Sequence, residues 1–86
     1  MTRKELIYVL FDEHNDKRIK LLRDCPTLLR DLYAVEEYEQ LCHQNKSLRI
    51  HAYKQRSRDA ILERYCIGVN HFYAIRIYIR WLLAKM

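Results

Sequence analysis

Among the 86 residues there is one glycine, Gly68, and one proline, Pro26. Sheet proteins turn tightly and often, and their turns draw on Gly, Pro, Asn and Asp because hairpins require positive φ or a preset φ. One of each cannot punctuate a sandwich or a barrel. Half of the residues are apolar and 31% are charged, a globular balance rather than a disordered one. The expected fold class is therefore all-α: a small bundle of four to six helices in a single domain, 1–86. A chain this short buries roughly 60% of its unfolded surface. That leaves modest stability, a use for a self-association surface, and little room for a deep substrate cleft.

The net charge of +5 is unevenly spread. Residues 1–45 carry seven Lys/Arg against nine Asp/Glu, net −2, whereas residues 46–86 carry nine against two, net +7. A basic C-terminal half beside a mildly acidic N-terminal half is the footprint of a nucleic-acid-binding module. The chain thus divides into N-terminal helices, 1–45, serving packing or dimerisation, and a basic half, 46–86.

Cys25, Cys42 and Cys66 are odd in number and lack C-x-x-C spacing, so neither a disulfide framework nor a zinc site is expected. Cys42 and His43 are adjacent, which on a helix separates their side chains by about 100°. No metal and no cofactor are expected. Arg3-Lys4-Glu5 lead straight into an amphipathic stretch, which is not the pattern of a signal peptide. The apolar tail Cys66–Met86 is interrupted by Arg76 and Arg80, so no membrane span is expected. With reduced thiols, the expected location is the cytoplasm.

Thr2-Arg3-Lys4-Glu5 has the form of a capping box and opens a helix of about 3–13. The polar cluster 12–16 suggests a break, with Asn15 or Asp16 capping a second helix through Leu22; a continuous helix to about 23 is the alternative. Pro26 lacks an N–H and disfavours α geometry at Cys25, so one helix ends there and another begins. From Thr27 to about Gln44, Leu28, Leu32, Val35, Tyr38 and Cys42 form one stripe, widened by Leu29, Tyr33 and Leu41. Glu36, Glu37 and Glu39 are expected to face away. Gln44-Asn45-Lys46 closes this helix and Ser47 is available to cap the next. A short helix from Ser57 or Arg58 through Tyr65 comes afterwards, and a last one runs from about Asn70 to Lys85.

The segment 57–79 has the spacing of a helix-turn-helix, in which two short helices are clamped by apolar residues around a brief turn. Ile61 and Tyr65 belong to the first helix, Ile67 plugs the turn, and Phe72 and Ile75 belong to the second. Gly68 is expected where the backbone reverses most tightly, since a residue without Cβ is most useful there. The string from Arg58 to Tyr73, above all Tyr65-Cys66-Ile67-Gly68-Val69-Asn70-His71-Phe72-Tyr73, resembles the C-terminal helix-turn-helix of the serine recombinases (DNA invertases and resolvases). More loosely, it is similar to that of the Mor-type phage activators. The likeness covers about a quarter of the chain. It departs at Leu62, where a small residue is usual, at Cys66, where a turn glycine is usual, and at Ala74, where a basic residue often stands. No guanine contact is carried over to Ala74. The recombinase catalytic domain has no counterpart here, so the resemblance implies DNA binding without recombination.

On that reading the second helix enters the major groove with Asn70, His71, Tyr73, Ala74 and Ile77 outward. Asn pairs bidentately with adenine, and Ala or Ile meets a thymine methyl. Arg49, Lys54, Arg56, Arg58, Arg76 and Arg80 supply phosphate contacts. The expected function is a non-catalytic, DNA-binding regulator or mobile-element accessory protein acting on double-stranded DNA. As a homodimer it would read half-sites about one helical turn apart. The alternative is a helical protein–protein interaction module, because the last helix is apolar nearly all round and ten of the 86 residues are aromatic. No Ser-His-Asp, Cys-His or paired-carboxylate spacing suggests an enzyme.

Overall fold

A computed structural model describes residues 1–86, and every regular element in it is a helix. In chain order these are α1 (Arg3–Phe11), α2 (Asp16–Asp24), α3 (Leu28–Ser47), α4 (Tyr53–Tyr65) and α5 (Val69–Lys85). The five fall within the expected four to six.

Local chemistry accounts for most of the boundaries. The Thr2 hydroxyl accepts from the Glu5 N–H at 3.2 Å and starts α1. That helix ends at Phe11, two residues short of expectation, because the Asp12 carboxylate accepts from the His14 N–H at 3.1 Å. Such a local turn competes with helix continuation. The Asn15 side chain then accepts from the Lys17 N–H at 2.9 Å and caps α2. Arg18 of α2 donates to the Leu10 carbonyl at 2.8 Å, satisfying one orphan acceptor of the end of α1. Cys25-Pro26-Thr27 separates α2 from α3, as Pro26 requires.

Two expectations fail between α3 and α4. Ser47 is the last residue of α3, not a cap for the next helix. Ser57 lies inside α4, which already begins at Tyr53. The Ser57 hydroxyl is fully buried, donating to the Tyr53 carbonyl at 2.6 Å and accepting from the Asn45 amide at 3.0 Å. A serine that bonds back to the carbonyl four residues earlier belongs to a helix interior.

The central helix is α3. Helices α1, α4 and α5 all pack on it, while α2 packs on α1. One core joins Leu6 and Leu10 of α1, Leu28, Leu32, Val35 and Tyr38 of α3, Ile61 of α4, and Phe72, Ile75, Ile79 and Leu82 of α5. Both halves of the chain therefore share one interior. The Leu28–Tyr38 stripe is consumed inside the chain and is not available as a dimer seam. Each large aliphatic or aromatic side chain buried there contributes about 1.5–3 kcal/mol of transfer free energy.

The glutamates of α3 do not all face away. Glu36 pairs with Arg3 of α1, Glu37 with Arg64 of α4 at 2.6 Å, and Glu39 with Arg76 of α5 at 3.8 Å. Each carboxylate thus reaches a different neighbouring helix. These pairs are partly exposed, so each contributes less than about 1 kcal/mol. They set orientation around α3 more than they hold the fold together.

Candidate nucleic-acid interface

Successive residues of α5 rotate by about 100°, so its two faces separate cleanly. Phe72, Ile75, Ile79 and Leu82 point into the core. Asn70, His71, Tyr73, Ala74 and Ile77 are all exposed. Asn70, Tyr73, Ala74 and Ile77 share the outer face, whereas His71 sits on its edge. The same face continues to Trp81, and its large members Tyr73, Ile77 and Trp81 are 44%, 68% and 53% exposed. From Gly68 to Ala74 every residue but Phe72 is exposed, so no other element of the chain covers this surface.

The residues expected to clamp α4 to α5 all lie in or against the common core, where both helices pack on α3. Ile61 and Phe72 are fully buried, Ile67 and Ile75 nearly so, and Tyr65 is half-buried. Phe72 stands edge-on to Tyr38 of α3 with ring centroids 5.2 Å apart. The connection between α4 and α5 is Cys66-Ile67-Gly68.

Gly68 is not where the chain reverses. Its φ is −73° and its ψ is 155°, ordinary extended geometry for a residue preceding a helix. A Cβ there would meet nothing within 4 Å. The left-handed residue is Cys66, at φ 54°. Its N–H donates to the Glu63 carbonyl at 3.3 Å and the Ile67 N–H to the Leu62 carbonyl at 3.0 Å. This is the Schellman pattern, which puts a left-handed residue just past the helix. Helix α3 ends the same way. Arg49 has φ 56°, its N–H donates to Lys46, and the Ile50 N–H donates to Asn45, both at 3.0 Å. None of the three left-handed residues, Arg49, Ala52 and Cys66, is glycine.

The basic residues divide into committed and uncommitted groups. Arg49, Lys54, Arg56 and Arg80 are exposed and form no ion pair. Arg58 is held: it donates to the Tyr73 hydroxyl at 3.1 Å and to Asp59 at 3.0 and 3.1 Å. The Tyr73 hydroxyl and the Asp59 carboxylate push its guanidinium pKa up. Arg76 turns back onto α3, 5.0 Å above the Tyr38 ring and 5.9 Å from that of Phe72. The Tyr38 phenol, buried and beside Cys42, has its pKa pushed up to about 12.

Three further basic side chains lie near these residues without any linear pattern to mark them: Arg3, His43 and Lys46. They share grooves with Arg76. They sit on α1 and α3 and meet α5 only through packing. No group of three His, Cys, Asp or Glu side chains converges in a way that would hold a metal ion. The three cysteines are free thiols, with Cys66 exposed. No helix is long and apolar enough to cross a membrane.

No family model, curated protein or solved structure matches this chain. Its functional reading therefore rests on the residues and geometry described above.

Proposed function

We propose that this chain is a non-catalytic DNA-binding protein in which α4, the Cys66–Gly68 connection and α5 act as a helix-turn-helix on double-stranded DNA. The observation that carries the reading is the exposure of Asn70, His71, Tyr73, Ala74 and Ile77 on the first turns of α5. The burial of Ile61, Ile67, Phe72 and Ile75 on the inner side of these elements supports it. Asn70 pairs with adenine, Ala74 and Ile77 meet thymine methyls, and the Tyr73 hydroxyl reaches a phosphate. Arg58 meets this surface from α4 at the Tyr73 hydroxyl and Lys54 shares a groove with Arg76, while Arg49, Arg56 and Arg80 are exposed cations that add to the positive field. The resemblance to the serine recombinase and Mor-type motifs points the same way. A homodimer would present two such surfaces to one DNA face.

The test is a fluorescence titration of a labelled duplex at two salt concentrations. Affinity is expected to fall steeply with salt, because bound phosphates release counterions. Absence of binding at low salt refutes the reading.

A second reading is favoured by one observation, the exposed ladder Tyr73-Ile77-Trp81. Aromatic and aliphatic side chains at that spacing suit a protein contact. On this reading the chain is a helical interaction module, and Ile77→Asp abolishes association in sedimentation while duplex DNA has no effect.

A further inference from the structure

Two grooves run along the seam between α3 and α5 and share Arg76 and Glu39. The first, about 380 Å³, opens between α3, the first turn of α4, and α5, and Lys46, Lys54, His43 and Arg76 line it. The second, about 150 Å³, lies further along α5 and is lined by Arg76, Arg80 and Arg3. Joined at Arg76, they form one trough with five Lys/Arg and a single lining carboxylate, Glu39.

Most Lys and Arg side chains of this molecule hold no carboxylate, and what sets these five apart is that they line one seam. Elsewhere Arg30, Arg58 and Arg64 each hold a carboxylate at 3.0 Å or less. Of the trough cations only Arg3 is closely paired, to Glu36. Lys46, Lys54 and Arg80 hold no carboxylate, and Arg76 reaches Glu39 only at 3.8 Å. Arg76 is oriented instead by the Tyr38 and Phe72 rings beneath it. Cation–π seating fixes the guanidinium plane without occupying its N–H donors. The fold has brought like charges together and left most of them unneutralised, an arrangement that an anion relieves.

We infer that this trough is a binding site for successive phosphates of a nucleic-acid backbone, one in each groove, with Arg76 between them. The inference rests on the DNA reading for its ligand. An α-helix is about 10–12 Å across and the major groove about 12 Å wide, so the phosphate strands border both flanks of an inserted helix. Arg76 and Arg80 occupy the α3-side flank of α5, next to the outer face that carries Tyr73 and Ile77. Lys46 and Lys54 extend that flank beyond the helix. Free phosphate offers the same oxygens, so the site has affinity for it as well.

The experiment uses the full chain and the double variant Lys46→Ala/Lys54→Ala, whose side chains are exposed and make no ion pair. Circular dichroism first establishes that the variant is folded. With a labelled duplex of mixed sequence, the variant is expected to bind about tenfold more weakly and to lose about two units of salt slope. Equal affinity and slope for the two proteins overturn the trough and leave the DNA reading standing. If the native chain binds no duplex, the DNA reading fails and an NMR titration with inorganic phosphate decides the trough. Amide shifts at Lys46, Tyr53 and Lys54 that vanish in the variant support a phosphate site. No shifts overturn it.

Discussion

Arg58 of α4 donates to the Tyr73 hydroxyl of α5 at 3.1 Å, tying the two helices together across the Cys66–Gly68 connection. Both side chains stand at the proposed DNA surface. Tyr73→Phe removes the acceptor and frees Arg58, yet leaves an exposed ring in place. Stability should change by less than about 0.5 kcal/mol, as for most surface substitutions. Arg58→Ala is expected to weaken duplex binding several-fold and to lower the salt slope by about one. Fluorescence anisotropy at two ionic strengths measures both.

The left-handed geometry at Cys66 predicts that a glycine stabilises the chain. Without a Cβ the αL penalty of about 1 kcal/mol or more disappears. Cys66→Gly should therefore raise the thermal midpoint by about 4–8 °C, the shift that 1 kcal/mol produces in a domain of this size. Arg49→Gly should act in the same direction. Gly68→Ser has open space around it, restricts the unfolded chain and supplies an N-cap oxygen, so it should also be stabilising. A fall in midpoint for Cys66→Gly would contradict the turn geometry.

Ser57 and Asn45 form a buried hydrogen bond between α4 and α3. Ser57→Ala strands the Asn45 amide and should cost about 1–3 kcal/mol. Asn45→Ala in that background should add less than it does alone. A double-mutant cycle by chemical denaturation gives the coupling, and additive effects would show that the two groups do not interact.

Glu37 links acid stability to α4. Burial by itself pushes its carboxyl pKa up, but hydrogen bonds from Arg64 and Tyr65 outweigh this and hold it below its ordinary 4.5. A carboxyl depressed in the fold stabilises it above its unfolded pKa and loses that contribution as pH falls through the folded value. The native chain should lose stability as pH drops below about 4.5, and Glu37→Gln should flatten that slope. Because the pair is partly exposed, the difference stays under about 1 kcal/mol. At the other extreme, burial, with the neighbouring Glu37 charge, pushes the Tyr65 phenol up from 10.0 to about 12. A phenol kept neutral by the fold supports it below the unfolded value, so stability should fall between those pH values. Denaturation midpoints across pH test both limbs.

The features legible in the chain were those that a spacing of three or four residues controls. The near absence of Gly and Pro excluded sheets, Thr2 and Asn15 marked helix starts, and Pro26 separated α2 from α3. The apolar period picked out Leu28, Leu32, Val35 and Tyr38 and the core positions Ile61, Phe72 and Ile75. These are local rules, because a helix face and a cap are defined within one or two turns. Tertiary structure decided the rest. Gly68 looked like the reversal because glycine tolerates it best, but packing of Ile67 into the core placed the left-handed residue two positions earlier, at Cys66. Ser57 looked like a helix start until Asn45 arrived from α3 to share its buried hydroxyl. Glu36, Glu37 and Glu39 looked like solvated charges, and each instead meets an arginine from a different helix. The trough that gathers Lys46, Lys54, Arg76, Arg80 and Arg3 comes from separate parts of the chain. Attraction and repulsion between charges depend on distance in space, and only the packing of four helices around and beside α3 sets that distance.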